Sequence, residues 1–151
     1  MMNLRRLFVI RGHSESGKTT IIIRLIDMLL NEYGSNIIEN RILIENEGES
    51  NEERLGTITI QGLKIGFISQ GDYYGYTLSK LIELFENENC DIVFCTCRTR
   101  QSSFNAVQEY IINNENCIIQ FRNTENPWSE IQTNRIVNEI FTWINGINNN
   151  N

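Results

Sequence analysis

The chain has 151 residues, enough to bury a core in one domain and too few for two large ones. A formal charge of -6 and a pI near 4.8 argue against nucleic acid as the main partner, because a phosphate backbone selects a cationic surface. No apolar run is long enough to cross a bilayer, and Met1 to Leu7 leads directly into the first predicted strand, so the expectation is a cytoplasmic protein with no membrane partner and no cleavable signal.

Leu7-Phe8-Val9-Ile10 reads as a buried strand, and Thr20 to Leu30 carries apolar residues at helical spacing, with Gly34 as a stop. Between them lies Gly12-His13-Ser14-Glu15-Ser16-Gly17-Lys18-Thr19, of the form G-x-x-x-x-G-K-[ST]. Ile37 to Glu45 mixes apolar and charged residues and fits either strand or helix, while Asn46 to Arg54 reads as an acidic, exposed loop. Gly56 to Ile60 and Leu63 to Ser69 flank a Gln61-Gly62 turn, which predicts an antiparallel hairpin at a sheet edge, with Ile65 to Ile68 beside the first strand. A helix over Tyr76 to Glu86, a buried strand over Asp91 to Thr96, a helix over Ser103 to Ile112 and a strand over Cys117 to Phe121 follow. The last helix is predicted over Trp128 to Ile144, with Ile131, Ile136, Val137, Ile140 and Phe141 inward, and 146–151 as a disordered asparagine-rich tail behind a domain spanning 1–145. Cys90, Cys95, Cys97 and Cys117 fall in or beside these strands and are expected to be reduced core residues; a metal or redox role for Cys95 and Cys97 lacks a second pair or a histidine.

Each residue type in the glycine-bearing loop has a physical use. Gly12 and Gly17 let successive N–H groups converge on an anion, and a helix starting at Gly17 adds its unpaired amides and positive dipole end. Lys18 can reach phosphate oxygens from a solvated position, and the Thr19 hydroxyl is a hard ligand suited to Mg²⁺. His13, Ser14, Glu15 and Ser16 contribute mainly backbone, Glu15 pointing outward, and Thr20 completes the nucleotide-binding set.

On these residues and their strand–loop–helix context the chain resembles the P-loop NTPases, in particular the small nucleotide-kinase-like branch. The resemblance implies an α/β, three-layer P-loop fold, with a mostly parallel sheet, an antiparallel edge hairpin and helices on both faces. It also implies a bound nucleoside triphosphate with Mg²⁺. It leaves the reaction open, since such folds host kinases, hydrolases and switches.

In an open α/β sheet, ligands bind beyond the carboxyl ends of the parallel strands, so the segments after Ser69, Cys95 and Phe121 carry the remaining candidates. After Ser69, Asp72 is placed to hold Mg²⁺ and orient a nucleophile, or is simply a turn residue after Gly71; Asp91 begins its strand and falls at the far end. Gln70 is a candidate to position water or substrate. After Cys95, Arg98 and Arg100 either grip phosphoryl oxygens or sit in a solvated loop. After Phe121, Asn123-Thr124-Glu125-Asn126 lacks the aspartate and lysine of a guanine-reading loop, which favours ATP over GTP.

The residues therefore point to Mg-dependent triphosphate binding and hydrolysis, with Lys18, Asp72, Arg98 and Arg100 as the catalytic candidates and Thr19 and Asp72 as the metal ligands. Two alternatives stand beside it: a small kinase-like phosphotransferase, and a slow nucleotide-dependent switch acting on a protein partner the sequence does not identify.

Overall fold

The computed structural model describes residues 4–14, 16–49, 52–125 and 127–149, arranged as a mixed α/β sheet with helices. Strand β1 (Arg6–Arg11) leads through the Gly12–Gly17 loop into helix α1 (Lys18–Tyr33). Two short strands, β2 (Ile37–Asn40) and β3 (Leu43–Glu45), precede the hairpin of β4 (Glu53–Ile60) and β5 (Leu63–Ile68). Helix α2 (Tyr74–Ile82) ends in a π-helical turn, then come β6 (Ile92–Cys97), α3 (Ser102–Asn113), β7 (Ile118–Asn123) and α4 (Glu130–Asn149). The sheet runs β2-β4-β5-β6-β1-β7, with β3 also pairing with β4. Strands β5, β6, β1 and β7 are parallel, and β4 is antiparallel to β5, β2 and β3.

Alternation along β1 explains how one sheet serves two cores. Phe8 and Ile10 join a cluster with Ile22, Leu25 and Leu29 of α1 and Ile136, Val137, Ile140 and Ile144 of α4. Leu7 and Val9 join the opposite cluster, with Leu81 of α2 and Val107 and Tyr110 of α3. Phe94 of β6 is fully buried, stacked on Phe67 with centroids 5.6 Å apart and set edge-on to Trp143 at 6.0 Å.

Several expectations are corrected here. The hairpin forms, but β4 is not the edge, because Ile37 to Glu45 supplies β2 and β3 on its outer side. β5 does not lie beside β1: β6, buried at every position and apolar at all but Thr96, takes the central place between them. β7 is a half-exposed edge strand, and Cys117 is only partly buried, whereas the other three thiols are buried. Helix α4 starts at Glu130, with Ile131 exposed, and continues to Asn149 instead of ending in a disordered tail from 146. Its cause is spacing: Ile140, Ile144 and Ile147 extend one apolar stripe onto the core, which outweighs the asparagine-rich composition, and residues 150 and 151 lie outside the described residues. Among the described residues no helix is long and apolar enough to cross a membrane.

Candidate functional site

The parallel strands β1, β5 and β6 end on one side of the sheet, and the segments that leave them enclose a cavity of about 600 Å³. Ser14, Gly17, Lys18, Thr19 and Thr20 form one wall, and Ser69, Gln70, Gly71, Asp72, Thr96 and Arg98 another. Glu53 at the start of β4 and Trp128 ahead of α4 also line it.

The Gly12–Gly17 loop is shaped by close packing. A Cβ on Gly12 would run into the Thr124 hydroxyl and come within 2.6 Å of Ser16 Oγ. The Thr124 hydroxyl donates to that Ser16 oxygen at 2.8 Å, tying the loop after β7 to the loop after β1. Gly17 sits at φ +87°, a left-handed conformation that favours glycine, with the Trp128 indole against its Cα. No side chain caps the start of α1, so its first amides remain available to an anion.

Lys18 is buried, not solvated as the sequence suggested; its ammonium donates to the Gly12 carbonyl at 2.9 Å and the His13 carbonyl at 2.6 Å. Burial holds its pKa below the usual lysine value, and the charge of Arg98 adds to that, while Asp72, Cys97 and Glu53 act in the opposite sense. A charge held on two carbonyl oxygens is poised for transfer to a better acceptor.

Across the cavity the ends of β5 and β6 are laced together. The Thr96 hydroxyl donates to the Ser69 carbonyl at 2.6 Å, Ser103 Oγ donates to the Gly71 carbonyl at 2.5 Å, and the Arg98 amide donates to Ser103 Oγ at 3.0 Å. A Cβ on Gly71 would collide with the backbone of Thr96, so glycine allows this approach. The result places Asp72 Oδ1 2.9 Å from both Nε and Nη2 of Arg98. The pair is exposed enough that its contribution to stability is small, at most about 1 kcal/mol. Behind it, Arg11 donates to the Thr99 carbonyl and lies over the Phe104 ring at 4.0 Å, steadying the loop that carries Arg98.

Of the residues the sequence points to, Ser14, Gly17, Lys18, Thr19, Thr20, Gln70, Asp72 and Arg98 line the cavity. Gly12 and Ser16 are buried within the loop, and exposed His13 contributes its carbonyl to Lys18. Arg100 is exposed and outside the cavity, and Glu15 lies outside the described residues. Glu53 joins the cavity lining from the acidic stretch that the sequence marks only as an exposed loop. Its carboxylate accepts the Ser69 hydroxyl at 2.5 Å and the Thr19 hydroxyl at 3.2 and 3.4 Å. Burial pushes its pKa up, with Asp72 and Glu45 adding to the shift and the two hydroxyl hydrogen bonds opposing it. Its signal lay in the strand register, since the position of β4 against β5 is what brings Glu53 to Ser69.

Among the described residues no three His, Cys, Asp or Glu side chains converge on a common point. A Mg²⁺ ion held by a hydroxyl, one carboxylate, water and phosphate oxygens needs no such group. No family model matches the sequence, and no curated protein matches it. A solved structure, the crystal structure of APE1195, is similar at a TM-score of 0.44 and 13% identity, over 89% of this chain and 66% of that one, a likeness that carries no functional argument.

Proposed function

We propose that the protein is a small P-loop NTPase, binding a nucleoside triphosphate with Mg²⁺ at the Gly12–Thr19 loop and hydrolysing it. The observation that carries this reading is the buried Lys18 ammonium, held on the loop's own carbonyls where the uncapped start of α1 opens into the cavity. Two features test the fit. The left-handed turn of Gly17 into the start of α1, and amides there with no side-chain cap, both suit a polyphosphate.

In this reading the loop amides and the α1 dipole hold the β-phosphate, and Lys18 moves from the Gly12 and His13 carbonyls to phosphate oxygens, an exchange of neutral for anionic acceptors. Arg98 stands on the opposite wall and can leave Asp72 at little expense to reach the terminal phosphoryl group, where positive charge acts mainly in the transition state. Gln70 lines the same wall, where an amide can orient water. Bound Mg²⁺ would neutralise charge developing on the β- and γ-oxygens.

The test is ligand-induced stabilisation followed by phosphate release. At one hundred times its dissociation constant the triphosphate should stabilise the fold by about 2.7 kcal/mol, raising Tm by about 5–10 °C for a chain of this size. Lys18→Ala should abolish the shift while remaining folded. An equal shift in the variant would remove the reading.

A further inference from the structure

We propose that Glu53, on the antiparallel strand β4, supplies the carboxylate that holds the divalent cation of this site; the inference rests on the triphosphate reading above. Thr19 is the hydroxyl that the loop offers to a hard cation, and its side-chain partner is Glu53, at 3.2 Å to Oε2 and 3.4 Å to Oε1. Two neighbouring ligands of an octahedral Mg²⁺, each bonded at about 2.0–2.1 Å, stand about 2.9 Å apart. The Thr19 and Glu53 oxygens are within a few tenths of an ångström of that spacing, so a cation replaces their weak hydrogen bond without rearranging the wall.

The carboxylate is also held in place, and the nearby Lys18 ammonium, which feels its charge, is bonded to the Gly12 and His13 carbonyls instead. Ser69 Oγ donates to Oε2 at 2.5 Å, and that hydroxyl is fixed in turn by the Arg54 amide at 2.6 Å. Among the described residues Glu53 makes no ion pair, although it is half-buried and lies in the field of Asp72 and Glu45. Asp72, by contrast, has its charge met by two nitrogens of Arg98. A half-buried carboxylate beside other acids and a hydroxyl is a site where a divalent ion relieves repulsion, and the same cation would reconcile Glu53 with the negative phosphates.

The experiment is calorimetric titration of a non-hydrolysable triphosphate with Mg²⁺ and with EDTA, for the full chain and two variants. The wild type should bind at least about tenfold tighter with Mg²⁺, by the measure of what a metal-supporting side chain contributes. Glu53→Gln keeps the size and hydrogen-bonding reach toward Thr19 and Ser69. It should reduce the Mg²⁺ advantage to threefold or less, with affinity in EDTA unchanged or improved. Asp72→Asn should retain the advantage. Mn²⁺ paramagnetic resonance on the ternary complex gives a second readout, the Glu53→Gln protein releasing the ion at concentrations where wild type retains it. An undiminished Mg²⁺ advantage in Glu53→Gln, its loss in Asp72→Asn alone, or its absence in wild type would overturn the assignment and leave triphosphate binding standing. Wild type that binds no triphosphate in either buffer would overturn both.

Discussion

Replacing Gly17 by alanine should cost stability through two separable causes, both read from the loop itself. The backbone at φ +87° charges an L-residue about 1–2 kcal/mol. The new methyl would also fall well inside 3.0 Å of Trp128 Cδ1 and Nε1, where no real Cβ sits, so the indole must move. Trp128 is 39% exposed and can yield, so the crowding should stay near the usual overpacking range of about 1–3 kcal/mol. Together the single change should cost about 2–5 kcal/mol in urea unfolding. Trp128→Ala removes the obstacle and leaves only the backbone share, so the double variant should be more stable than the sum of the single changes predicts by about 1–3 kcal/mol. Additivity within about 0.5 kcal/mol would refute the argument, because it would mean that the indole does not lie on Gly17. Triphosphate affinity should not return in the double variant, since the backbone strain that misdirects the loop amide remains.

The two arginines after β6 should separate cleanly. Arg98→Ala should lower turnover about tenfold or more with little change in triphosphate affinity, and Arg100→Ala, exposed and outside the cavity, should leave both within about twofold; steady-state kinetics beside equilibrium binding decides, and equal effects would remove Arg98 from the site. The thiols predict the alkaline limit of the fold. Burial pushes Cys90 up to about 12 and Cys97 and Cys117 up to about 11, and holds Cys95 well above its ordinary value of 9.0. A raised thiol pKa contributes stability that is complete below the unfolded value and is lost as pH rises through the folded one, so urea stability should fall between about pH 9 and 12. At pH 8 an aromatic disulfide reagent should label the native protein slowly, with Cys117 first; rapid labelling of Cys95 would contradict its burial.

What the sequence made legible is what local physics decides. The glycines, Lys18 and Thr19 are read from eight consecutive residues, and the four parallel strands and the hairpin by alternation or apolar runs, so the loop and the α/β class followed directly, while Ile37 to Glu45 fitted strand or helix equally. Arg98 and Arg100 are two residues apart, and nothing local distinguishes them. The choice depends on Ser103 holding the Arg98 amide and on the alignment of β5 with β6 that brings Asp72 within reach. The tail departs from its asparagine-rich composition for a different reason: the stripe of Ile140, Ile144 and Ile147 packs on the core and carries the helix onward.

Glu53 shows how far a site can depend on long-range pairing. It sits in an acid-rich stretch where Glu47, Glu49, Glu52 and Glu53 are equivalent by composition. β4 begins at Glu53, and the pairing of Leu55 with Ile68 places its carboxylate at Ser69, facing Thr19. A one-residue slip would turn the side chain to the other face of the sheet. The register is set by burial, because Leu55, Thr57, Ile58 and Ile60 must stay covered, and the packing of the hairpin therefore fixes which acid reaches the cavity. Apolar residues along β4 and β5 thereby control the electrostatics of a loop more than thirty positions earlier in the chain, as the sequence separation of 34 between Thr19 and Glu53 records.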